Sequence, residues 1–174
     1  MLHKLSFFIG SLFLCFVMST GLMAQSAEGE GMGAELTSRY RDLVSFDYEL
    51  EDLASLVNEG RSRDIPKDRI LIINGTVSSR QLIDPTEESY FAILELSSGD
   101  WEDEEELRLY RCYIQLIGPS FAGTVPDPQS RTIDPKEVPL HADVLLIGRY
   151  LGYGEDETGD TFPVLEAVDL RVLE

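Results

Sequence analysis

The feature that most constrains the fold is a series of apolar, β-branched runs that begins near residue 68 and is punctuated by glycine. The first run, DRILIINGTVSSRQLID, contains Asn74-Gly75 near its centre. Two interpretations of this pair are open. Asn-Gly between apolar runs is typical of a two-residue hairpin, whereas a glycine inside one long strand marks a bulge at which a sheet bends sharply. Under both interpretations the chain beyond residue 68 is predicted to be mainly β.

Four more strands are predicted after the first. SYFAILELSSGDWE and ELRLYRCYIQLIG are expected to pair across an acidic tip, and ADVLLIGRYLGYGE and TFPVLEAVDLRVLE across a second acidic tip, EDETGD. Between these pairs, GPSFAGTVPDPQSRTIDPKEVPLHA contains five prolines, which argue against a helix and favour an irregular crossover. The predicted order of strands is therefore three, a long connection, and two.

An amphipathic segment precedes the strands and is assigned to residues 36–60. Residues 34–58 contain no Gly or Pro, and most of their apolar residues fall near one helical face. Ser45, with acidic residues behind it, is a candidate start for a second helix, so the pattern fits either one helix or two. Gly60 is predicted to end the helical pattern.

Five strands, a glycine within the first, and a long link between the third and fourth together predict a five-stranded OB-fold-like Greek-key barrel over residues 65–174. A closed barrel needs a strongly bent first strand, which favours the bulge at Gly75 over the hairpin. The barrel is thus expected to follow an N-terminal helical segment.

The sequence resembles the small exported bacterial OB-fold domains of the tRNA-anticodon-domain-like (tRNA_anti-like) class. The resemblance covers roughly residues 48–173. It is carried by the stretches Ile70-Leu-Ile-Ile-Asn-Gly-Thr-Val77 and Ala142-Asp-Val-Leu-Leu-Ile-Gly-Arg-Tyr-Leu-Gly152, and by the closing apolar strand from Phe162 to Leu173. The resemblance implies an OB-fold binding domain. The name of the class refers to nucleic-acid binding, and many exported members have no assigned ligand.

The N-terminal residues predict the compartment. An uncharged run extends from Leu5 to Met23, and Ala24 stands in the last position of a small-residue cleavage site. Residues 1–24 are therefore predicted to be a secretory signal peptide, followed by a flexible, glycine-rich tether over residues 25–35. The protein is expected to be periplasmic or secreted. An uncleaved N-terminal membrane anchor is the alternative, because the run is just long enough to span a bilayer.

Charge restricts the expected partners. The formal net charge is −18, and it becomes −19 when the signal peptide is removed, because Lys4 is lost. An acidic surface repels phosphate backbones, so nucleic acid and bare anionic membranes are disfavoured as partners. The preferred partner is an unknown protein or a small-molecule ligand.

Cys112 is the only cysteine outside the signal peptide, so no intrachain disulfide is expected. It shares one face of a predicted strand with Ile114 and Leu116, because side chains two residues apart point the same way. Cys112 is therefore predicted to be buried and inert.

Candidate ligand-binding residues follow from the expected fold, since OB barrels bind ligands on the face of their second and third strands and on neighbouring loops. Arg111 and Tyr113 would lie on the outer face of the third strand, where they could stack a base or a sugar. Trp101, Tyr150 and Tyr153 could form an aromatic rim around a ligand. The alternative is a solvated outer face, with the tyrosines covering the barrel mouth.

The two acidic tips contain candidate ligands for a divalent cation. Calcium takes six to eight oxygens from a folded loop, and the loop EDETGD offers Glu155, Asp156, Glu157 and Asp160. The tip DWEDEEEL contains six carboxylates, but consecutive residues of a hairpin alternate in direction and cannot all converge. Neither tip has EF-hand spacing. The alternative for both is a solvated, charged tip. Apart from calcium, no cofactor is predicted.

Catalytic signatures are absent from the sequence: there is no H-x-x-H, G-x-S-x-G or phosphate-loop motif. The predicted function is therefore a non-enzymatic one. The leading hypothesis is an exported OB-fold module that docks a protein partner or small ligand through its second and third strands. The alternatives are a calcium-binding envelope or stress protein, and a module that binds nucleic acid or oligosaccharide.

Overall fold

A computed structural model describes residues 43–103, 106–130 and 134–173, and for residues 100–103 and 106–107 the description is confined to the backbone. The predicted signal peptide, the tether and the first part of the helical segment lie outside the described residues. The elements are β1 (Val44–Ser45), α1 (Leu50–Asn58), β2 (Ile70–Asp84), β3 (Phe91–Asp103), β4 (Glu106–Ile117), β5 (Asp143–Glu155) and β6 (Thr161–Val172), with 3₁₀ turns at Ser62–Asp64 and Pro119–Phe121. Within these ranges, no helix is long and apolar enough to cross a membrane.

Five of the strands close into a barrel with the order β2-β3-β4-β6-β5 and a further pairing of β5 with β2. All neighbours are antiparallel except β4 and β6, which run parallel. Because β5 pairs with β6 and β2 and not with β4, the chain must return across one end of the barrel to the β2 side between β4 and β5. The proline-containing connection makes this return, and its described parts contain no α-helix. The predicted mainly β, OB-fold-like barrel is confirmed.

The Asn74-Gly75 pair lies inside one continuous strand, so the hairpin is excluded and the long-strand interpretation is confirmed. The two register shifts between β2 and β3 fall at Ser78 and Ile83, however, so the bulge expected at Gly75 is not there. At Gly75 the strand instead passes very close to its neighbours. A Cβ at that position would stand 3.1 Å from the Cβ of Leu96 and 3.2 Å from Leu50 Cδ1. Glycine therefore allows β2 to lie close to the side chains of Leu96 and Leu50. This close approach occurs where the pairing of β2 changes from β5 to β3.

The barrel interior is filled by every second side chain of its strands, as the two-residue period requires. Cys112 is 0% exposed, and burial raises the pKa of its thiol to about 12. Its predicted burial is confirmed. The fully enclosed side chains of the strands include Leu71, Ile73, Val77, Leu94, Leu96, Ile114, Leu116, Val144, Leu146 and Leu165.

Helix α1 belongs to this core. Its apolar face buries Leu50, Leu53 and Val57 within the same cluster of side chains that fills the barrel. Complete burial of a leucine contributes about 1.5–3 kcal/mol relative to exposure. The helix is therefore docked on the barrel by ordinary hydrophobic packing.

The ends of α1 are fixed by local hydrogen bonds. The side chain of Glu49 caps the start, while Asp52 Oδ2 accepts a hydrogen bond from the backbone N–H of Glu49 at 2.8 Å. At the other end, Gly60 has φ 70°, and its N–H donates to the carbonyl of Val57 at 3.0 Å. This is a glycine-terminated helix end, and the prediction that Gly60 ends the helix is confirmed.

The suggestion that a helix starts at Ser45 is wrong. Ser45 lies in β1, which pairs in parallel with the first residues of β2. Its hydroxyl donates to Asp47 Oδ2 at 3.1 Å instead of capping a helix. A serine followed by acidic residues is therefore not sufficient to place a helix start, because the same side chains can satisfy one another in an extended segment.

Candidate functional site: the outer face of β3, β4 and β6

The outer face of the barrel presents a band of alternating polar and apolar side chains across three strands. Register pairs place Glu95 of β3 opposite Tyr113 of β4, and Val164 of β6 lies beside Tyr113 on the other side. These positions face outward because their sequence neighbours are the buried side chains of the core. The band comprises Ile93, Glu95, Ser97, Arg111, Tyr113, Gln115, Phe162, Val164 and Glu166.

An aromatic pair occupies the part of this face nearest the β5–β6 loop. The ring centroids of Tyr113 and Phe162 are 4.3 Å apart, with 47° between the ring planes. Beside them, the guanidinium carbon of Arg111 lies 5.7 Å from the Phe162 centroid, which is within cation–π range. A cation and two rings thus form one partly exposed platform, defined here as Arg111, Tyr113 and Phe162.

Phe162 is a site residue that the sequence analysis missed. Its register partner on β5 is Gly154, and a Cβ at Gly154 would stand only 2.7 Å from Phe162 Cζ. The glycine therefore leaves room for the ring to lie across β5 at this point. An aromatic residue that begins a strand opposite a glycine was the available signal, but the register that joins the two was not readable from the sequence.

Tyr113 is fixed by its cross-strand neighbour Glu95. Partial burial raises the pKa of Tyr113, and its hydrogen bond with Glu95 raises the pKa further. Glu95 Oε1 also accepts a hydrogen bond from the Ser78 hydroxyl at 3.0 Å. One carboxylate therefore links three neighbouring strands, and it holds the phenol of Tyr113 in its neutral, hydrogen-bonded form.

Arg111 is held by the β5–β6 loop. Its guanidinium donates to the carboxylate of Asp156, and the same nitrogen lies 3.7 Å from Asp160 Oδ2. The hydrogen bond to Asp156 raises the pKa of Arg111. About a third of the Arg111 side chain, 34%, is exposed. The arginine is therefore positioned by the loop but still reaches the surface.

The β5–β6 loop is built around Asp156. Its Oδ1 accepts hydrogen bonds from the Thr158 N–H at 2.9 Å, the Thr158 hydroxyl at 2.6 Å and the Asp160 N–H at 3.0 Å. The Thr158 hydroxyl is the main cause, with Arg111, of the strongly lowered pKa of Asp156. Gly159, with φ 89°, completes the turn. One carboxylate thus orders the loop and orients Arg111.

Two of the four predicted calcium ligands, Asp156 and Asp160, accept hydrogen bonds from the loop itself. Asp156 is occupied by donors from the protein, and Asp160 Oδ2 accepts from the Thr158 hydroxyl at 3.2 Å. In the part of the chain that is described, no three His, Cys, Asp or Glu side chains are grouped so as to hold a metal ion. The involvement of Glu155 and Glu157 in a cation site therefore stays a prediction from sequence.

Of the three residues of the predicted aromatic rim, Tyr150 does not lie at the surface. Tyr150 is only 2% exposed and belongs to the core, because it shares its strand face with Val144 and Leu146. Burial raises the pKa of Tyr150. Tyr153 is 59% exposed on the same strand. Trp101 pairs through its backbone with β4, but its side chain lies outside the described residues.

Comparison with protein-family models and with curated proteins finds no match for the sequence. The proposed kinship with the tRNA_anti-like class therefore stays a prediction.

Solved structures share the fold. The chain is similar to the single-stranded DNA-binding protein of Thermus aquaticus, with 14% identity, a TM-score of 0.38, and coverage of 59% of this chain and 48% of that chain. It is also similar to the Plasmodium falciparum SSB in complex with ssDNA, with 16% identity, a TM-score of 0.41, and coverage of 60% of this chain and 94% of that chain. For the small single-stranded DNA-binding protein of Streptomyces coelicolor, the identity is 12%, the TM-score is 0.36, and coverage is 60% of this chain and 91% of that chain. The matched region spans about half of the Thermus protein. At these identities the likeness concerns the fold alone.

The expectation that nucleic acid is an unlikely partner is corrected by this finding. The solved structures that share the barrel are described as single-stranded DNA-binding proteins, the partner class that the sequence analysis disfavoured. The physical error lies in the use of net charge. A net charge of −18 describes the whole chain, whereas ligand contact depends on one face and on the groups that lie there.

Proposed function

We propose that this OB-fold domain binds single-stranded nucleic acid on the outer face of β3, β4 and β6. The observation that carries the proposal is the Arg111–Tyr113–Phe162 platform. Its two rings lie 4.3 Å apart and are partly exposed. Tyr113 stands on the third strand of the barrel, which belongs to the face that OB barrels use for ligands, and Phe162 extends that face onto β6. Nucleic-acid bases stack on aromatic side chains and on guanidinium planes, independently of sequence. The platform offers both kinds of surface side by side.

The charges around the platform determine how such a ligand would be held. Glu95, Asp156 and Glu166 lie on or beside the face, and Arg111 is already paired with Asp156. Phosphate contacts are therefore few, and stacking supplies most of the affinity. Each phosphate neutralised on a single strand contributes about −0.7 to the slope of log K against log salt. With one arginine on the platform, we expect a slope no steeper than about −0.7.

The direct test is fluorescence-anisotropy titration of a labelled, unstructured single-stranded oligonucleotide with the full chain, at low salt and at about 0.15 M salt. Tyr113→Ala and Phe162→Ala are each expected to weaken binding roughly 5- to 150-fold, the loss of one stacked base. Tyr153→Ala is the matched control, because Tyr153 is an exposed tyrosine outside the aromatic pair. Absence of binding at both salt concentrations, or equal binding by all three variants, would refute the proposal.

A neutral oligosaccharide is the second candidate ligand for the same face. Glu95 and Glu166 favour it, because carboxylates can accept hydrogen bonds from sugar hydroxyls and do not repel an uncharged chain. Sugar rings also pack against aromatic side chains such as Tyr113 and Phe162. Titration with cellohexaose or maltohexaose separates the two ligands, since saccharide binding should be insensitive to salt and should be abolished by Glu95→Gln together with Glu166→Gln.

We also propose that the domain acts outside the cytoplasm, as a periplasmic or secreted protein. The uncharged run from Leu5 to Met23 and the cleavage pattern at Ala24 support this location. N-terminal sequencing of the protein recovered from an exporting host tests it. A mature chain that begins at Gln25 is expected. A chain that retains residues 1–24 in the membrane fraction would favour the anchor, and one that retains them in the cytosol would refute export.

A further inference from the structure

One edge of the barrel is left open by the way β2 changes partners. The strand pairs with β5 as far as Thr76, and from Thr76 onward it pairs with β3. On the side away from β3, the N–H of His141 donates to the carbonyl of Val77 at 2.8 Å, and the described residues show no strand pairing beyond that point. Residues 78–84 therefore form a stretch of strand, roughly 20 Å long, whose second edge has no strand partner among the described residues.

The crossover contacts the backbone of β2 at His141, just before β5 begins, and the φ of His141 is 65°. A left-handed conformation is uncommon for a residue other than glycine and turns the chain sharply. The crossover therefore diverges from β2, and a groove of about 540 Å³ lies between them. It is lined by Ser78, Ser79, Arg80, Gln81 and Leu82 of the strand and by Val125, Pro126, Pro128 and Leu140 of the crossover.

The wall of this groove is apolar and contains two residues that cannot donate a backbone hydrogen bond. Pro126 and Pro128 have no N–H, so the wall cannot pair with the β2 edge as a regular strand would. Arg80 fastens the wall to the barrel, since its guanidinium donates to Glu137 Oε1 at 2.9 Å and to the carbonyl of Val138. The groove is thus held open beside a free strand edge.

The charge around the groove identifies its occupant. An adjoining groove shares Leu82, Val125 and Pro126 and is also lined by Asp127, Asp134 and Glu137. Glu137 is neutralised by its ion pair with Arg80, so the acidic character comes from Asp127 and Asp134. At the end of β2, hydrogen bonding from the Ser89 hydroxyl lowers the pKa of Asp84, which stays ionised. With a chain charge of −18, a second copy would bring like charge to an acidic site. A basic segment is the complementary ligand.

We propose that the free edge of β2, residues 78–84, binds an extended basic segment of a protein partner as an added β-strand. Main-chain hydrogen bonds to the edge supply affinity, as in other cases of strand addition, and alternate side chains supply specificity. Every second side chain of the bound segment contacts the apolar wall at Pro126 and Leu140. Its basic residues lie near the acidic groups at the end of the groove.

The test uses a synthetic peptide of alternating lysine and valine, titrated into the full chain by calorimetry at about 0.15 M salt. Saturable one-to-one binding is expected, with slower hydrogen exchange at the backbone amides of residues 78–84. Two further peptides serve as probes. One carries glutamate in place of lysine, and one keeps the lysines but has alternate backbone nitrogens methylated. Both are expected to bind at least about tenfold more weakly, the second because several main-chain hydrogen bonds are lost.

Two variants locate the site on the molecule. Leu140→Arg places a long cation against the groove wall and should weaken binding of the lysine peptide at least about tenfold, by like charge and by steric filling. Leu151→Arg is the matched control, because Leu151 is exposed to a similar extent, 42% against 45%, but lies on β5 outside the groove lining. The proposal is overturned if the methylated peptide binds as tightly as the unmethylated lysine peptide, or if Leu140→Arg and Leu151→Arg weaken binding equally. Either result would mean that charge attraction alone explains the binding. Hydrogen exchange without peptide supplies a further test. If the backbone amides of residues 78–84 become more protected as the protein concentration rises, the edge pairs with a second copy of the chain and the proposal is overturned.

Discussion

Arg111 of β4 donates a hydrogen bond to Asp156, which stands in the loop between β5 and β6 and lies 45 residues further along the chain. The pair joins the strand that carries the aromatic platform to the loop beside it. Asp156 also accepts from Thr158 and from the Asp160 N–H. A single carboxylate therefore orders the loop and orients the only cation of the platform, so changes in its charge should affect both.

Asp156→Asn should destabilise the domain at neutral pH. Hydrogen bonds lower the pKa of Asp156 below its ordinary value of 3.8, so the ionised carboxylate stabilises the folded state at every pH above that value. This stabilisation is lost as the pH falls below 3.8, because the unfolded chain takes up the proton first. The difference in unfolding temperature between the wild type and Asp156→Asn should thus be largest near neutral pH and shrink in acid.

The matched control for that measurement is Glu157→Gln, which removes one negative charge from the same loop. It should leave the unfolding temperature close to that of the wild type, because exposed charges contribute little. A difference between Asp156→Asn and wild type that is constant across the pH range would contradict the role assigned to the ionised carboxylate.

Cys112 should resist alkylation in the folded protein. The thiolate is the reactive form of cysteine, and burial both raises the pKa of this thiol to about 12 and removes it from solvent. Iodoacetamide followed by peptide mass spectrometry should show unmodified Cys112 under native conditions and complete modification of Cys112 in denaturant. Leu151→Cys, at an exposed position of β5, should be labelled readily in the folded state. Rapid labelling of native Cys112 would mean that the β3–β4 region of the core opens.

Much of the fold was accessible from the sequence because it depends on local patterns. The alternation around Cys112 gave the correct inner and outer faces of β4, since a strand's period is fixed by backbone geometry. Gly60 ended the helix where a left-handed residue was needed. These features require no knowledge of which strands are neighbours.

Two of the three platform residues were predicted, and the third was missed because its place depends on register. Arg111 and Tyr113 were placed on the correct face, but Phe162 reaches them through the pairing of β4 with β6, which joins residues far apart in sequence. Tyr150 was misplaced for a different reason. Its position in the two-residue period with Leu146 already put it inside, and its aromatic character was given more weight than that period.

Leu53→Ala should lower the free energy of unfolding of the whole domain by about 2–5 kcal/mol. Leu53 is 0% exposed and belongs to the cluster that fills the barrel, so its truncation leaves a cavity shared by helix and barrel. Urea denaturation, followed by tryptophan fluorescence and by far-ultraviolet circular dichroism, measures the change. Leu151→Ala, at a 42% exposed position, should cost roughly 1 kcal/mol or less. If Leu53→Ala leaves barrel unfolding unchanged, α1 is not part of the cooperative core.

Gly154→Ala should damage the platform while sparing the fold. The new methyl group would meet Phe162 Cζ at 2.7 Å, and a ring edge moves more easily than backbone, so the ring should swing away from Tyr113. Nuclear Overhauser contacts between the two rings should weaken, and oligonucleotide affinity should fall several-fold, with unfolding free energy changed by less than about 1 kcal/mol. Gly152→Ala is the control on the same strand, because a Cβ there meets no atom within 4 Å. Loss of the ring contact with unchanged affinity would remove Phe162 from the binding surface and leave Tyr113 and Arg111 to carry it.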